Sequence, residues 1–244
     1  MFEANHLLYL MFHLFGFIAT FLYMFFYSKK LGLPSWRAIL LFTIVYPLVY
    51  GFMYIQYWIE SGFKEWGNNI VRCFIWIPVF ALPFSKLLKI DYRKSMNLIA
   101  AVPCIIHAVS HIGCIFDGCC YGYPSAFGIW NPVVRDYLFP VQILESLVAA
   151  IIVVIVLFYN KSYNYSSKAK AYPLMLMLFG FTRFFLEFAR DNQKLFWGIS
   201  SLAIHAFVMF VVGVLLYIFY DKLFKIKDKD DANGLTQNKK EQEC

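Results

Sequence analysis

His111-Ile-Gly-Cys-Ile-Phe-Asp-Gly-Cys-Cys-Tyr-Gly-Tyr-Pro124 is the stretch on which the reading of this chain turns. It brings His111, Asp117, Cys114, Cys119, Cys120, Gly113, Gly118 and Gly122 close together in sequence. Long apolar runs flank it on both sides. Polar, glycine-rich backbone at membrane depth is tolerated only where it is buried in protein or lines a wet cavity. The stretch is either the wall of a site or a glycine-rich turn with cysteines as filler. A plain turn does not need an Asp and a His so close to lipid, and that favours the site.

The flanking runs set the class. Of 244 residues, 61% are apolar, 20% aromatic and only 15% charged. A soluble domain carries about a quarter charged residues. The deficit points to an all-α polytopic membrane protein, with residues 1–220 as one transmembrane domain and 221–244 as a disordered polar cytoplasmic tail. A hydrocarbon core about 30 Å thick needs roughly 20 apolar residues per helix. Segments near 5–28, 37–59, 70–88, 95–116, 139–159, 171–189 and 197–220 meet that need, which predicts about seven spans. The first run, Leu7 to Tyr27, is too long for the apolar region of a cleaved signal peptide, and no basic residue precedes it, so it reads as a retained helix.

Orientation follows from lysine and arginine. Lys29, Lys30, Arg37, Lys86, Lys89, Arg93, Lys94, Lys161, Lys168, Lys170 and Lys222 fall in alternate loops and the tail. The other side holds Lys64, Arg72, Arg135, Arg190 and Lys194. By the positive-inside rule the N-terminus is outside and the C-terminus cytoplasmic. The net charge of +7 therefore marks topology, and no nucleic acid is expected as a partner. This topology puts the opening stretch at the outer end of the fourth span.

Ionisable residues at membrane depth are costly and mark sites by default. Arg183, Glu187 and Arg190 share a helix face at spacings of four and three, so Glu187 can pair with both arginines. They read as a structural ion-pair ladder or as an anion site, since an arginine fork binds phosphate in two-point geometry. Glu145, preceded by Gln142 and Pro140, needs an arginine or histidine partner. His107 and His111 lie four apart, but a zinc site needs three or four ligands, so no metal is expected there and His111 reads as a base or hydrogen-bonding group. His13 and His205 read as satisfied core histidines, and Cys73 and Cys104 as small core residues. Cys119 and Cys120 read as packing residues, because adjacent cysteines rarely bridge each other.

Three patches then resemble the prolipoprotein diacylglyceryl transferase family. The family signature reads roughly Arg-x-Gly-Asn-x-x-Asn-Gly-Glu-x-x-Gly, with a variant Arg-Ile-Gly-Cys-Phe-x-x-Gly-Cys-Cys-Tyr-Gly. The stretch from His111 to Gly122 is similar to that variant, with His111 standing where the family has arginine. The family's His-Pro-x-Gln-Leu-Tyr-Glu resembles Phe139-Pro140-Val141-Gln142-Ile143-Leu144-Glu145. Its Phe-Arg-Phe-x-x-Glu-Phe-x-Arg resembles Thr182-Arg183-Phe184-Phe185-Leu186-Glu187-Phe188-Ala189-Arg190. Tyr9 with Gly16 and Phe17 is similar to a further family element near the start. The family's third-helix histidine is absent from Arg72 to Val79.

The resemblance implies a multi-pass enzyme of the bacterial plasma membrane. It implies transfer of a diacylglyceryl group from phosphatidylglycerol to the lipobox cysteine of a prolipoprotein signal peptide, with release of glycerol phosphate and no cofactor. Carried over, Arg183 would hold the lipid phosphate, Glu187 and Glu145 would orient arginines, and His111 would serve as the base. Tyr9, Gly113, Cys114, Asp117, Gly118, Gly122, Gln142 and Arg190 would line the substrate. Two other readings stay open: a family-fold membrane protein that binds or transfers another lipid group, and a small transporter.

Overall fold

The computed structural model describes residues 5–60, 62–64, 70–191, 194–196 and 199–224. Of the expected polar tail only 221–224 fall within this range; the rest lies outside the described residues. Apolar runs become helices because a helix satisfies its own backbone N–H and C=O groups. These helices are α1 (His6–Lys30), α2 (Ser35–Glu60), α3 (Ile70–Leu87), α4 (Tyr92–Ile99), α5 (Val102–Asp117), α6 (Val141–Ser162), α7 (Ala171–Leu186) and α8 (Ser201–Leu223). Among the described residues, six spans are long and apolar enough to cross a membrane: His6–Lys30, Ser35–Ile59, Tyr92–Asp117, Val141–Ser162, Ala171–Ala189 and Ser201–Leu223. Helix α3, an 18-residue helix with Pro78 and Pro83 inside it, is not one of the six. Large apolar side chains such as Leu7, Leu22, Phe26, Phe158, Phe185 and Ile218 stand exposed on the outside of the bundle.

The expected fourth span is divided into α4 and α5. Pro103 follows Val102 in the first turn of α5, and a proline disfavours helical geometry in the residue before it. The expected seventh span starts later than its hydropathy suggests. Ser200 caps α8, its hydroxyl accepting from Ala203 N at 3.1 Å, and the residues before it pair as a short hairpin of β3 (Lys194–Phe196) and β4 (Ile199–Ser200). A second hairpin, β1 (Pro124–Asn131) with β2 (Asp136–Leu138), fills the loop between α5 and α6. Among the described residues the fold is thus helical with two small antiparallel additions. Asn131 anchors the larger hairpin: its amide donates to Gly118 O at 3.0 Å, and its Oδ1 accepts from Val133 and Val134 N.

Two seams bring backbones together. Along α1 and α5, a Cβ on Gly113 would stand 2.9 Å from Phe12 Cβ and 3.2 Å from Tyr9 O. Along α7 and α8, a Cβ on Gly180 would stand 2.6 Å from Phe210 N, and one on Gly213 2.7 Å from Met177 N. Any residue larger than glycine would separate each pair.

Polar residues lock the two ends. At one end, Asn5 N donates to Phe116 O at 2.8 Å, tying the start of α1 to the end of α5. At the other, buried Arg93 donates to Ser167 O, Phe224 O and Asp221 at 2.6, 2.8 and 2.9 Å. Lys170 Nζ shares Asp221 at 2.7 Å. Beside them Asn160 donates to Asn97 O at 3.0 Å, and Asn97 Oδ1 accepts from Ala171 N at 3.1 Å. This second end is where the lysines and arginines assigned to the cytoplasmic side collect.

Candidate active site

Glu145, in the second turn of α6, is the hub of a buried polar cluster. Val141 and Gln142 open that helix after Pro140, so its carboxylate points inward near the end of α5. Arg190 reaches it in two-point geometry, Nε to Oε1 at 2.9 Å and Nη2 to Oε2 at 2.7 Å. Arg183 on α7 bonds Oε1 as well. His111 Nδ1 stands 2.8 Å from Oε2 and His107 Nε2 3.6 Å from it. The two imidazoles lie one above the other, tilted by 37° with centroids 3.9 Å apart, as expected of residues four apart on α5. Their side chains differ in access: 12% exposed for His111 against 2% for His107.

Arg183 also pairs with Glu187, Nη2 to Oε2 at 3.0 Å, and Ser200 Oγ donates to Glu187 Oε1 at 2.9 Å. Two guanidiniums thus face two carboxylates with all four side chains buried. Charges removed from water must be matched in this way or they cost several kcal/mol each. The expected single helix face holding Arg183, Glu187 and Arg190 is only partly formed. The α-helix ends at Leu186, Glu187–Ala189 is a 3-10 turn, and Arg190 is extended. That turn lets Arg190 swing to Glu145. Its backbone bridges to Gly122, which brings the opening stretch against the end of α7.

Gly122 has no room for a side chain: a Cβ there would lie 2.6 Å from Ala189 O and 2.9 Å from Phe139 O. Gly118, at φ +70°, caps α5 in the left-handed region, where glycine has no steric cost. Cys120 takes a similar conformation, φ +61°. These two left-handed residues fold the chain back so that the sulfurs of Cys114, Cys119 and Cys120 come together. Hydrogen bonds from the Cys114 and Cys119 thiols, with Arg190 and His111 nearby, hold the Cys120 thiol below the ordinary thiol range. Gln142 Nε2 grips Cys119 O at 2.7 Å.

A sequence model of the prolipoprotein diacylglyceryl transferase family matches residues 8–219, a range that includes every member of the Glu145 cluster. The chain belongs to that family. Two relatives carry the name phosphatidylglycerol–prolipoprotein diacylglyceryl transferase. The one from Clostridium tetani (strain Massachusetts / E88) is 24% identical over 166 residues, 64% of this chain and 65% of the relative. Transferase 2 of Clostridium perfringens (strain 13 / Type A) is 27% identical over 167 residues, 64% of each chain. The chain therefore spans somewhat under two thirds of the length of the curated relatives it matches.

Other residues named from the sequence fall outside the cluster. Asp117 turns to α1, where His6 Nδ1 lies 3.1 Å from it. Tyr9 stacks on His6, with centroids at 5.3 Å, and meets His13 tilted, at 4.2 Å, and its backbone packs on Gly113. His13 and His205 bond the carbonyls of Tyr9 and Ser201, each four residues back. Cys73 and Cys104 are buried in the core. His107 was not singled out for the site, although its spacing from His111 already placed both on one face.

The donor atoms of His107, His111 and Glu145 also lie within 4.8 Å of one another. A divalent ion there would sit beside Arg183 and Arg190, which already hold the carboxylate, so like-charge repulsion disfavours it.

Proposed function

We propose that this chain is a phosphatidylglycerol–prolipoprotein diacylglyceryl transferase of the bacterial plasma membrane. In this reading it crosses the membrane seven times, counting α3, with the N-terminus outside and the C-terminus in the cytoplasm. The observation that carries the reading is the two-point grip of Arg190 on Glu145 beside Arg183. A carboxylate and a phosphodiester present the same pair of oxygens to a guanidinium. Glu145 thus stands where a lipid phosphate docks, and substrate entry exchanges one anion for another. Arg183, which bonds the same carboxylate oxygen as Arg190, then offsets the charge that develops on the departing glycerol phosphate.

His111 is the more accessible of the two imidazoles and is oriented by Glu145, the arrangement of a base and its positioning carboxylate. It takes the proton from the acceptor cysteine thiol. This role supplies at position 111 what the family's third-helix histidine does not supply here. The test is conversion of phosphatidylglycerol and a lipobox peptide to lipidated peptide by the purified chain, abolished in Arg183→Ala. Retention of bound phosphatidylglycerol with no lipidated peptide from the folded wild-type protein would refute the transferase reading. It would favour a lipid-binding protein whose arginines are held by their own carboxylates.

A further inference from the structure

The Cys114, Cys119 and Cys120 sulfurs have no part in the reaction as derived so far. All lie within 4.8 Å of one another. With Zn–S bonds near 2.3 Å, a trigonal or tetrahedral ion spaces its sulfurs roughly 3.8–4.0 Å apart, so the trio must close by at most about 1 Å to hold one. The trio is also asymmetric in exposure. Cys114 is 5% exposed, whereas Cys119 and Cys120 are half-buried. An ion held between them keeps one side open, as catalytic zinc sites with three protein ligands do. The charge is suited as well: three thiolates around a divalent ion carry a net negative charge, and Arg190 and His111 lie within electrostatic range of Cys120. The Gln142 bond to Cys119 O fixes the loop from outside, the kind of support that orients ligands at metal sites.

We propose that Cys114, Cys119 and Cys120 hold a zinc ion whose open fourth position takes the thiol of the acceptor cysteine. The proposal rests on the transferase reading above and names how its nucleophile is made. A thiol that coordinates zinc is deprotonated outright. The acceptor S–H gives up its proton to His111 and thence to water. The zinc-bound sulfur attacks the glyceryl carbon that bears the phosphate ester oxygen. One C–S bond forms, one C–O bond breaks, and the electron pair leaves on glycerol phosphate. Nothing is oxidised or reduced, which suits a d10 ion. The product thioether is uncharged and a poorer ligand than a thiolate, so it departs while the three cysteines keep the ion.

The full chain, purified in detergent without chelator and exposed to excess zinc, is expected to hold about one zinc per chain. Cys114→Ser, Cys119→Ser and Cys120→Ser are each expected to lower zinc affinity by about tenfold or more, since loss of even an outer-shell partner costs that much. Cobalt loaded into the wild-type chain avoids any folding defect of the variants. It should show a thiolate-to-cobalt charge-transfer band that shifts on adding a lipobox peptide but not its Cys→Ser counterpart. Absence of zinc and of that band in the wild-type chain overturns the proposal. So does a chelator-stripped chain that lipidates peptide as fast as the zinc-loaded one, an outcome that leaves the transferase reading standing. Zinc and peptide-thiol binding without any lipid transfer supports the metal site and sinks the transferase reading instead.

Discussion

Replacing Glu145 with Gln tests the charge balance of the buried cluster most directly. The substitution keeps the shape of the side chain but removes its charge. Arg183 and Arg190 then share one carboxylate, Glu187, and a net positive charge is stranded in the bundle. Three guanidinium contacts end on Glu145, from Arg183, Arg190 Nε and Arg190 Nη2, and its side chain is 1% exposed. Breaking a buried pair on one side costs about 3–5 kcal/mol, because the partner charge is left uncompensated. For a chain of this length 1 kcal/mol corresponds to about 2–4 °C, so Tm should fall by roughly 6–20 °C. The assay is thermal unfolding of the purified protein in one detergent, followed by loss of helical signal. Restoring neutrality should recover much of the loss: Glu145→Gln with Arg190→Gln should be more stable than Glu145→Gln alone, despite losing a second side chain. A Tm drop under about 2 °C in the single variant, or a double variant less stable than the single, would refute the account of Glu145 as the counterion of both arginines.

The other predictions need less development. His111→Ala should lower lipid transfer by about 10²–10⁴-fold, the usual contribution of a general base, while His107→Ala, buried behind it, should lower it less; progress curves at saturating phosphatidylglycerol measure both. Gly122→Ala should destabilise the fold by about 1–3 kcal/mol, since its Cβ meets carbonyl oxygens on two sides. Gly51→Ala, in the middle of α2 with nothing within 4 Å of the added Cβ, should instead raise stability by about 0.5–1 kcal/mol. Arg93→Met should cost about 1–3 kcal/mol by leaving the Ser167 and Phe224 carbonyls without their donor, with binding of phosphatidylglycerol at the opposite end unchanged in the folded fraction.

The helices were legible because lipid imposes one solution on a long apolar run. The pairing of Arg183 with Glu187 was legible because spacing of four is fixed by the helix itself. What escaped the sequence were contacts set by how helices meet. Nothing local in α6 says that Glu145 takes Arg190 from 45 residues away, or that α7 ends one residue short of Glu187 so that Arg190 can reach. The two hairpins escaped because β2, β3 and β4 have three residues or fewer, β1 carries Pro124 and Gly128 within it, and β4 fell inside the expected seventh span. The cysteine trio escaped for a backbone reason: its convergence depends on left-handed turns at Gly118 and Cys120, and a non-glycine residue gives no sign of taking that conformation. Asp117 shows the converse, a conspicuous intramembrane acid that the start of α1 captures.

The glycine seam between α7 and α8 has a consequence for traffic through the bundle. With α8 backbone against Gly180 and α7 backbone against Gly213, the two helices meet at those points like a zipped plank, with no room there for a side chain to swing aside. A two-tailed lipid cannot slip between them without unzipping both contacts. Its doorway into the protein must open along a seam padded by side chains, whose rotamers can move while the helices stay still.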